Sequence, residues 1–394
     1  MSAVRDEPVD VLVVGGGIQG AGVLQAAAAA GHSALLLEER APAWGTSSRS
    51  SKLIHGGLRY LESGQFQLVR ESLAERATLL EIAPHLVRLV EFFIPIYRGT
   101  TRRPWELRAG LSLYAVLGGL VKNARFNRVP HAQWESLDGL TTDGLQAVFR
   151  YHDGQTDDAR LVRAVLASAE DLGARWSCPA AFLGAERDVD GWLARYRLAD
   201  LEREVLCRAL VDAAGPWARE VQGRVQGAPT PPGVDLVGGA HVEVEGRLER
   251  GIYYVEAPRD RRAVFAIPWH GHTLIGTTET PFRGDPAEVE ALPVEVDYLL
   301  ETFQHYFPTR QGAVLDSWAG LRVLPKGPGK AFSRPREVVL SFDDKILPTF
   351  VGLYGGKLTG YRATAEKVLS HLEPALPKAE RRADTATLRL PDVD

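Results

Sequence analysis

The stretch Val9 to Glu39, VDVLVVGGGIQGAGVLQAAAAAGHSALLLEE, constrains the fold more than any other part of the chain. Its apolar run Val11 to Val14 reads as a buried parallel strand, because a strand covered on both faces loses the apolar–polar alternation. Gly15, Gly17 and Gly20 follow in GxGxxG spacing, then an Ala-rich helix and a second apolar run, Ala34 to Leu37, which ends in Glu38. Strand, glycine turn, helix, strand and acid together form a dinucleotide-binding βαβ unit. The first glycine supplies unusual φ, the second lets backbone approach a pyrophosphate, and the third lets helix and strand pack closely. Ile18 and Gln19 open the helix, whose N-terminal N–H groups and positive dipole end face the phosphates. Glu38, 18 residues after Gly20, falls where a carboxylate takes ribose hydroxyls. The unit occurs once, so one dinucleotide site is expected. The motif does not choose between NAD and FAD.

At 394 residues the chain has room for two domains, or one large domain with insertions. Its net charge of −4 argues against nucleic acid as a partner, so any anion site must be local. Cys178 and Cys207 form no metal or redox spacing, which fits a reduced, cytoplasmic setting. The N-terminus has no apolar signal-like region, and no uncharged apolar run reaches membrane-spanning length.

A polar loop, Glu39 to Lys52, carries hydroxyls at Thr46, Ser47, Ser48, Ser50 and Ser51; they either line a phosphate or ring edge or form an ordinary solvated loop. Periodicity predicts a helix over Phe66 to Ile82 and a strand over Phe92 to Tyr97. Trp105 to Val121 is an amphipathic helix with basic flanks at Arg102, Arg103, Arg108 and Lys122, suited to a membrane surface or to half-burial. Asp157 or Asp158 caps a helix running to Gly173. Asp235 to Thr280 is strand-rich and predicts an antiparallel sheet inserted into the α/β domain; His270-Gly271-His272 within it lacks metal-ligand partners and reads as a turn. Glu288 to Phe307 is helical, and Pro348 to Thr359 repeats strand, glycine turn and helix. Residues after Leu376 read as a loose tail.

GTSSRSSKLIHGGLRYLE, coming after that βαβ unit, closely resembles the FAD-dependent, membrane-associated glycerol-3-phosphate dehydrogenase family. TDDARLV, AAGPW (Ala213 to Trp217), IPW, IGTTE (Ile275 to Glu279), AGLRVLP and GGKLTGYR agree in order, so the resemblance spans roughly residues 9 to 373. It implies an α/β (α+β overall) fold: a Rossmann-like FAD-binding domain with an interleaved antiparallel β-rich cap, as in D-amino acid oxidase and glycine oxidase-type flavoproteins. On that basis 6–95, 155–235 and 315–378 are expected to bind FAD, 96–154 and 236–314 to form the substrate cap, and 379–394 to be the tail. The implied reaction is oxidation of sn-glycerol 3-phosphate to dihydroxyacetone phosphate, with hydride passing from C2 to flavin N5 and electrons leaving to quinone or oxygen. A quinone acceptor would favour peripheral attachment to the inner face of the cytoplasmic membrane. A homo-oligomer is compatible with this reading.

The resemblance also implies site residues. The cofactor positions are Gly15, Gly17, Ile18, Gln19, Gly20, Glu38, Glu39, Thr46, Ser47, Ser50, Ser51, Lys52, His55, Gly56, Gly57, Ala214, Gly215, Gly355, Gly356, Lys357, Leu358 and Thr359. Arg59, Tyr60, Thr277, Thr278, Arg322, Arg334 and Lys357 match substrate positions; a phosphate dianion needs convergent cations, and arginine offers a planar fork. Arg59, Arg322 and Lys357 are also grouped with the catalytic machinery. Alcohol oxidation needs a base for the hydroxyl proton, with His241 the first choice and His55 the second. At Gly238 and Ala240 the family commonly has lysine and serine, so polar contacts before His241 are expected to be missing; Gly360 replaces a second threonine, and Ser333 to Arg336 is unusually basic. The chain ends before the helical C-terminal domain typical of the family. Two further readings remain: a sister flavoenzyme acting on another hydroxy or amino compound, such as a different phosphorylated polyol, and a flavin-binding protein without turnover.

Overall fold

A computed structural model of the chain describes residues 4–119, 125–327 and 338–393. Arg334 and its neighbours Ser333, Pro335 and Arg336, together with Val121 and Lys122, lie outside the described residues.

The apolar run becomes a buried strand, Val9–Val14, at the heart of a nine-stranded sheet. It is flanked in parallel by Ala34–Leu37 and Leu201–Asp212, with Arg175–Ser177 and Phe350–Tyr354 parallel beyond them. The helix Ile18–Ala29 is buried along all but one of its residues, because helices Asp158–Asp171 and Tyr361–Leu372 pack against it. Alanine and glycine make that approach possible: a Cβ on Gly22 would stand 2.8 Å from the Tyr361 ring. Asp157, of the two acids proposed, caps the helix Asp158–Asp171 by accepting from the Arg160 N–H at 2.9 Å.

A second, ten-stranded sheet forms the other layer. The expected strand-rich region supplies Val234–Val244, Ile252–Glu256, Ala263–Trp269 and His272–Gly276. His270 and Gly271 form the turn between the last two, where Trp269 pairs with His272. Distant parts of the chain join the sheet: Leu53–Ile54, Val87–Tyr97, Leu145–Thr156 and Val314–Pro325. The strands at 87–97 and 314–325 thus lie in this sheet, although the sequence grouped most of their residues with the dinucleotide-binding segments. The strands of the 235–280 region pair antiparallel with one another, as expected, and the one parallel pairing, Ile252–Glu256 with Val87–Tyr97, makes the larger sheet mixed.

Helix Pro104–Leu117 stops four residues short of the expected end. It buries Leu107, Leu111 and Tyr114. The expected 288–307 helix is shortened to Pro293–Tyr306, preceded by a single 3₁₀ turn.

The tail is packed, not loose. Leu390 is 4% exposed within the core around the first helix, and Thr385 is buried and donates to Glu366. Backbone bonds from Arg382 and Ala383 to the Ala29 carbonyl, and from Leu390 to the Ile82 carbonyl, hold it in place. Low hydrophobicity of the segment conceals the one leucine that anchors it. Leu390→Ala should therefore cost about 2–4 kcal/mol of unfolding free energy through lost burial and a residual cavity, read by denaturant unfolding; no measurable change would show the tail to be dispensable.

Candidate active site

The glycine turn works as its spacing predicts. Gly15 has φ of 108°, and a Cβ there would stand 2.7 Å from the Ala213 carbonyl oxygen; on Gly20 a Cβ would stand 1.9 Å from the Gly15 carbonyl oxygen. Strand, turn and helix can therefore close only without side chains at these points. Glu38 accepts from the Gly16 N–H at 2.6 Å, which fixes its carboxylate beside the turn. Ser47 accepts from the Ile18 N–H at 3.0 Å, so the hydroxyl loop reaches the helix N-terminus. Gln19 donates to the Lys357 carbonyl at 3.3 Å, and Gly356, with φ of 100°, leaves room for that side chain. His55 N–H donates to Thr359 at 3.1 Å. Segments more than 300 residues apart thereby meet around one cavity of about 430 Å³. Asp212, buried behind the turn, accepts from the Ala214 N–H at 3.1 Å, and burial pushes its carboxyl well above the ordinary range.

Most of the expected residues line this cavity. At one end are the glycine turn, Ile18, Gln19, Glu38, Glu39, Ala214 and Gly215; Thr46, Ser47, Ser50, Ser51, His55, Gly57 and the run Gly355 to Thr359 continue the wall. Arg59, Tyr60, His241, Thr277 and Arg322 belong to it too. Four expected residues do not line it. Gly20 is a packing glycine. Gly56 donates its N–H to Tyr114 Oη at 2.9 Å and has no room for a Cβ against Leu73. Lys52 turns away, its Nζ 2.6 Å from both Asp158 Oδ1 and the Ser48 carbonyl. Thr278 is buried, donating to Glu295 at 2.6 Å and accepting from the Ala240 N–H at 2.9 Å, so its hydroxyl serves the sheet.

The chemistry gathers on one face of the second sheet. Val234–Val244 pairs with Val314–Pro325 so that Val237, Gly239 and His241 oppose Arg322, Gly320 and Trp318. Directly opposed residues share a face. Three glycines clear that face. A Cβ on Gly239 would stand 2.6 Å from Thr277 Oγ1 and 2.9 Å from Arg322 Nη2; on Gly276 it would meet the His241 ring, and on Gly320 the Arg49 carbonyl at 2.7 Å. Arg322 reaches across Gly239 to Glu279, at 2.9 Å, and to Thr277, at 3.2 Å. Gly238 and Ala240 have the opposite parity; neither lines the cavity and Ala240 is fully buried in the cap core, so the departures there lie off the cavity wall. Gly360 caps the last helix, also off the cavity.

His241 is 2% exposed, stacks on Trp318 at 5.9 Å and shares a 2.9 Å hydrogen bond through Nε2 with Ser51. Burial, then the charges of Arg322 and Lys52, lower its pKa to about 3. Nearby, Tyr60 lies between two cations: Lys357 Nζ is 3.9 Å from its ring centroid and the Arg59 guanidinium 5.8 Å. With Arg262 also on the wall, the pocket is cationic, as a phosphate monoester requires. Sequence reasoning gave no role to Glu279, Arg262, Trp318 or the three clearing glycines. The available signal was strand parity, which becomes readable only once the register is known.

A flavin dinucleotide fits this cradle: a side-chain-free turn at a helix N-terminus, a fixed acid beside it, and a hydroxyl loop continuous with a second glycine turn. The chain belongs to the FAD dependent oxidoreductase (DAO) family, whose model matches residues 10–359, and is thus an FAD-dependent oxidoreductase. It is 39% identical over 381 residues to a glycerol-3-phosphate dehydrogenase of Pseudomonas aeruginosa, covering 95% of this chain and 73% of that protein. It is 36% identical to a D-erythritol 1-phosphate dehydrogenase of Brucella abortus, covering 94% and 75%. Among solved structures it is similar to the glycerol-3-phosphate dehydrogenase of Bacillus halodurans complexed with FAD, at a TM-score of 0.75 and 28% identity, covering 97% of this chain and 68% of the other.

Two predictions test the geometry. Gly239→Ala should leave folding and FAD content nearly intact while displacing Arg322, weakening binding of a phosphorylated ligand by about tenfold or more in calorimetric titration. The fold favours neutral His241, so the stability this residue contributes is present above its ordinary pKa, near 6.5, and is lost as pH falls towards 3. His241→Gln should flatten that part of the stability-versus-pH curve.

Proposed function

We propose that the protein oxidises sn-glycerol 3-phosphate to dihydroxyacetone phosphate. The observation that carries this reading is the shared cap face, where Arg322 and His241 flank Gly239 across the cavity wall. Arg322, Arg59 and Lys357 hold the phosphate, with Glu279 and Thr277 fixing the guanidinium fork. His241, neutral in the resting site, is the base on which the hydroxyl proton ends. A dianion bound at Arg322 offsets the positive field that suppresses His241, so substrate binding itself strengthens the base. Bound FAD supplies the two-electron acceptor for the hydride leaving C2. The second sheet, including its strands at 87–97 and 314–325, serves as the substrate layer.

Electrons pass on to quinone or oxygen. For quinone, the helix Pro104–Leu117 provides a docking face: Trp105 is 70% exposed and Val116 56%, Leu113 is also exposed, and Arg103 and Arg108 stand beside them. Among the described residues no helix is long and apolar enough to cross a membrane. This face therefore suits peripheral attachment to the inner surface of the cytoplasmic membrane.

Anaerobic mixing of the FAD-loaded protein with glycerol 3-phosphate should bleach the flavin. The Brucella relative supports a second reading, oxidation of a four-carbon polyol phosphate; bleaching by erythritol 1-phosphate and not by glycerol 3-phosphate would establish it. In the same assay Arg322→Ala should raise the apparent Kd for the phosphorylated substrate by about 100-fold, because it removes a charge-assisted contact and leaves Glu279 without its 2.9 Å partner. An unchanged Kd would remove Arg322 from the phosphate site.

A further inference from the structure

We propose that Ser51 is the first acceptor of the substrate's hydroxyl proton and relays it to His241. The proposal rests on the functional reading above. Ser51 lies in the loop first assigned to the cofactor, yet its hydroxyl is 2.9 Å from His241 Nε2. The imidazole is enclosed by Trp318 and by Gly276, where even a Cβ would collide with the ring. Both residues line the cavity, but Ser51 is half-buried where His241 is only 2% exposed. With Nε2 already engaged by the Ser51 hydroxyl, a substrate hydroxyl reaches that nitrogen through the serine.

The loop is built to hold that serine in place. Ser50, one residue earlier, donates backbone N–H and hydroxyl to Asp158 at 3.0 and 2.6 Å. Lys52, one residue later, has left-handed φ of 60° and bonds the same carboxylate at 2.6 Å. Ser51 is thereby held between two anchored neighbours, with its side chain bonded to His241 at the cavity wall. The relay requires the serine O–H to donate to Nε2 and the imidazole's own proton to sit on Nδ1. On reaction the substrate O–H bond breaks and its proton joins Ser51 Oγ, while the Ser51 proton moves to Nε2 and forms imidazolium. The electron pair of the C–H bond leaves as hydride to the flavin oxidant, and the ketone forms. The charges facing His241 are Arg322 and Lys52, paired to Glu279 and Asp158 respectively.

The test uses FAD-loaded protein in anaerobic stopped-flow. Ser51→Ala should slow flavin reduction by about 100-fold, the size of a lost proton-transfer group, with little change in the apparent Kd for glycerol 3-phosphate. Ser51→Thr should restore most of the rate. The solvent proton inventory should be bowed in the wild type, where protons move together, and linear in Ser51→Ala. Independently of turnover, ¹⁵N spectra of histidine-labelled protein should show a hydrogen-bonded His241 Nε2 that becomes a free imine nitrogen in Ser51→Ala. An unchanged reduction rate, an unchanged Nε2 resonance, or loss of FAD from Ser51→Ala would overturn the relay, the last returning Ser51 to the cofactor. If wild-type flavin is bleached by another polyol phosphate and not by glycerol 3-phosphate, the substrate reading fails while the relay is read with the compound that works.

Discussion

A buried ion pair, Lys52 with Asp158, holds the loop on which both sheets depend. Both side chains are almost wholly removed from water, so the pair is stabilising only because its remaining donors and acceptors are met: the Ser48 carbonyl takes a second Lys52 proton, and Ser50 gives two bonds to Asp158. The contact also compensates a left-handed lysine backbone, a conformation that costs about 1–2 kcal/mol. Held this way, the loop distributes its hydroxyls. Ser47 serves the first helix, Thr46 donates to the Leu321 carbonyl of the second sheet at 2.6 Å, and Ser51 meets His241. One short polar segment therefore sets the distance between the dinucleotide cradle and the cap.

The βαβ unit is legible in the sequence because its constraints are local: glycines at fixed offsets, a buried apolar run, an acid at the end of the next strand. The cap is legible as strands but not as a sheet. Nothing in residues 87–97 or 314–325 says which strand they pair with, since partner choice is a long-range property that alternation alone does not encode. The same limit explains the residues given wrong or no roles. Lys52 stands in a block rich in cofactor positions, and its partner Asp158 is 106 residues away. Thr277 and Thr278 are adjacent in a strand-to-loop segment, and only the packing separates the one on the cavity from the one bonded to Glu295.

Strand parity also changes how the unusual residues in GGAHVEV are understood. Gly238 and Ala240 suggest a site stripped of polar contacts. The register puts them on the core side, while Gly239 between them is the position the site needs. A glycine whose absent side chain accommodates Arg322 and Thr277 contributes to specificity by the room it leaves. Two further glycines, on the strands either side, do the same for the His241 ring and for the approach of Arg49.

The cationic pocket and the suppressed histidine share one contributor, Arg322. The charge on Arg322 that attracts a phosphate also helps to hold His241 far below its ordinary pKa, with burial as the larger cause. An uncharged imidazole adds no further cation to a pocket already holding Arg59, Lys357 and Arg322. On the reading proposed above, a dianion bound at Arg322 would offset that field and raise the proton affinity of His241, and Glu279 would limit the effect because it already offsets part of the Arg322 charge.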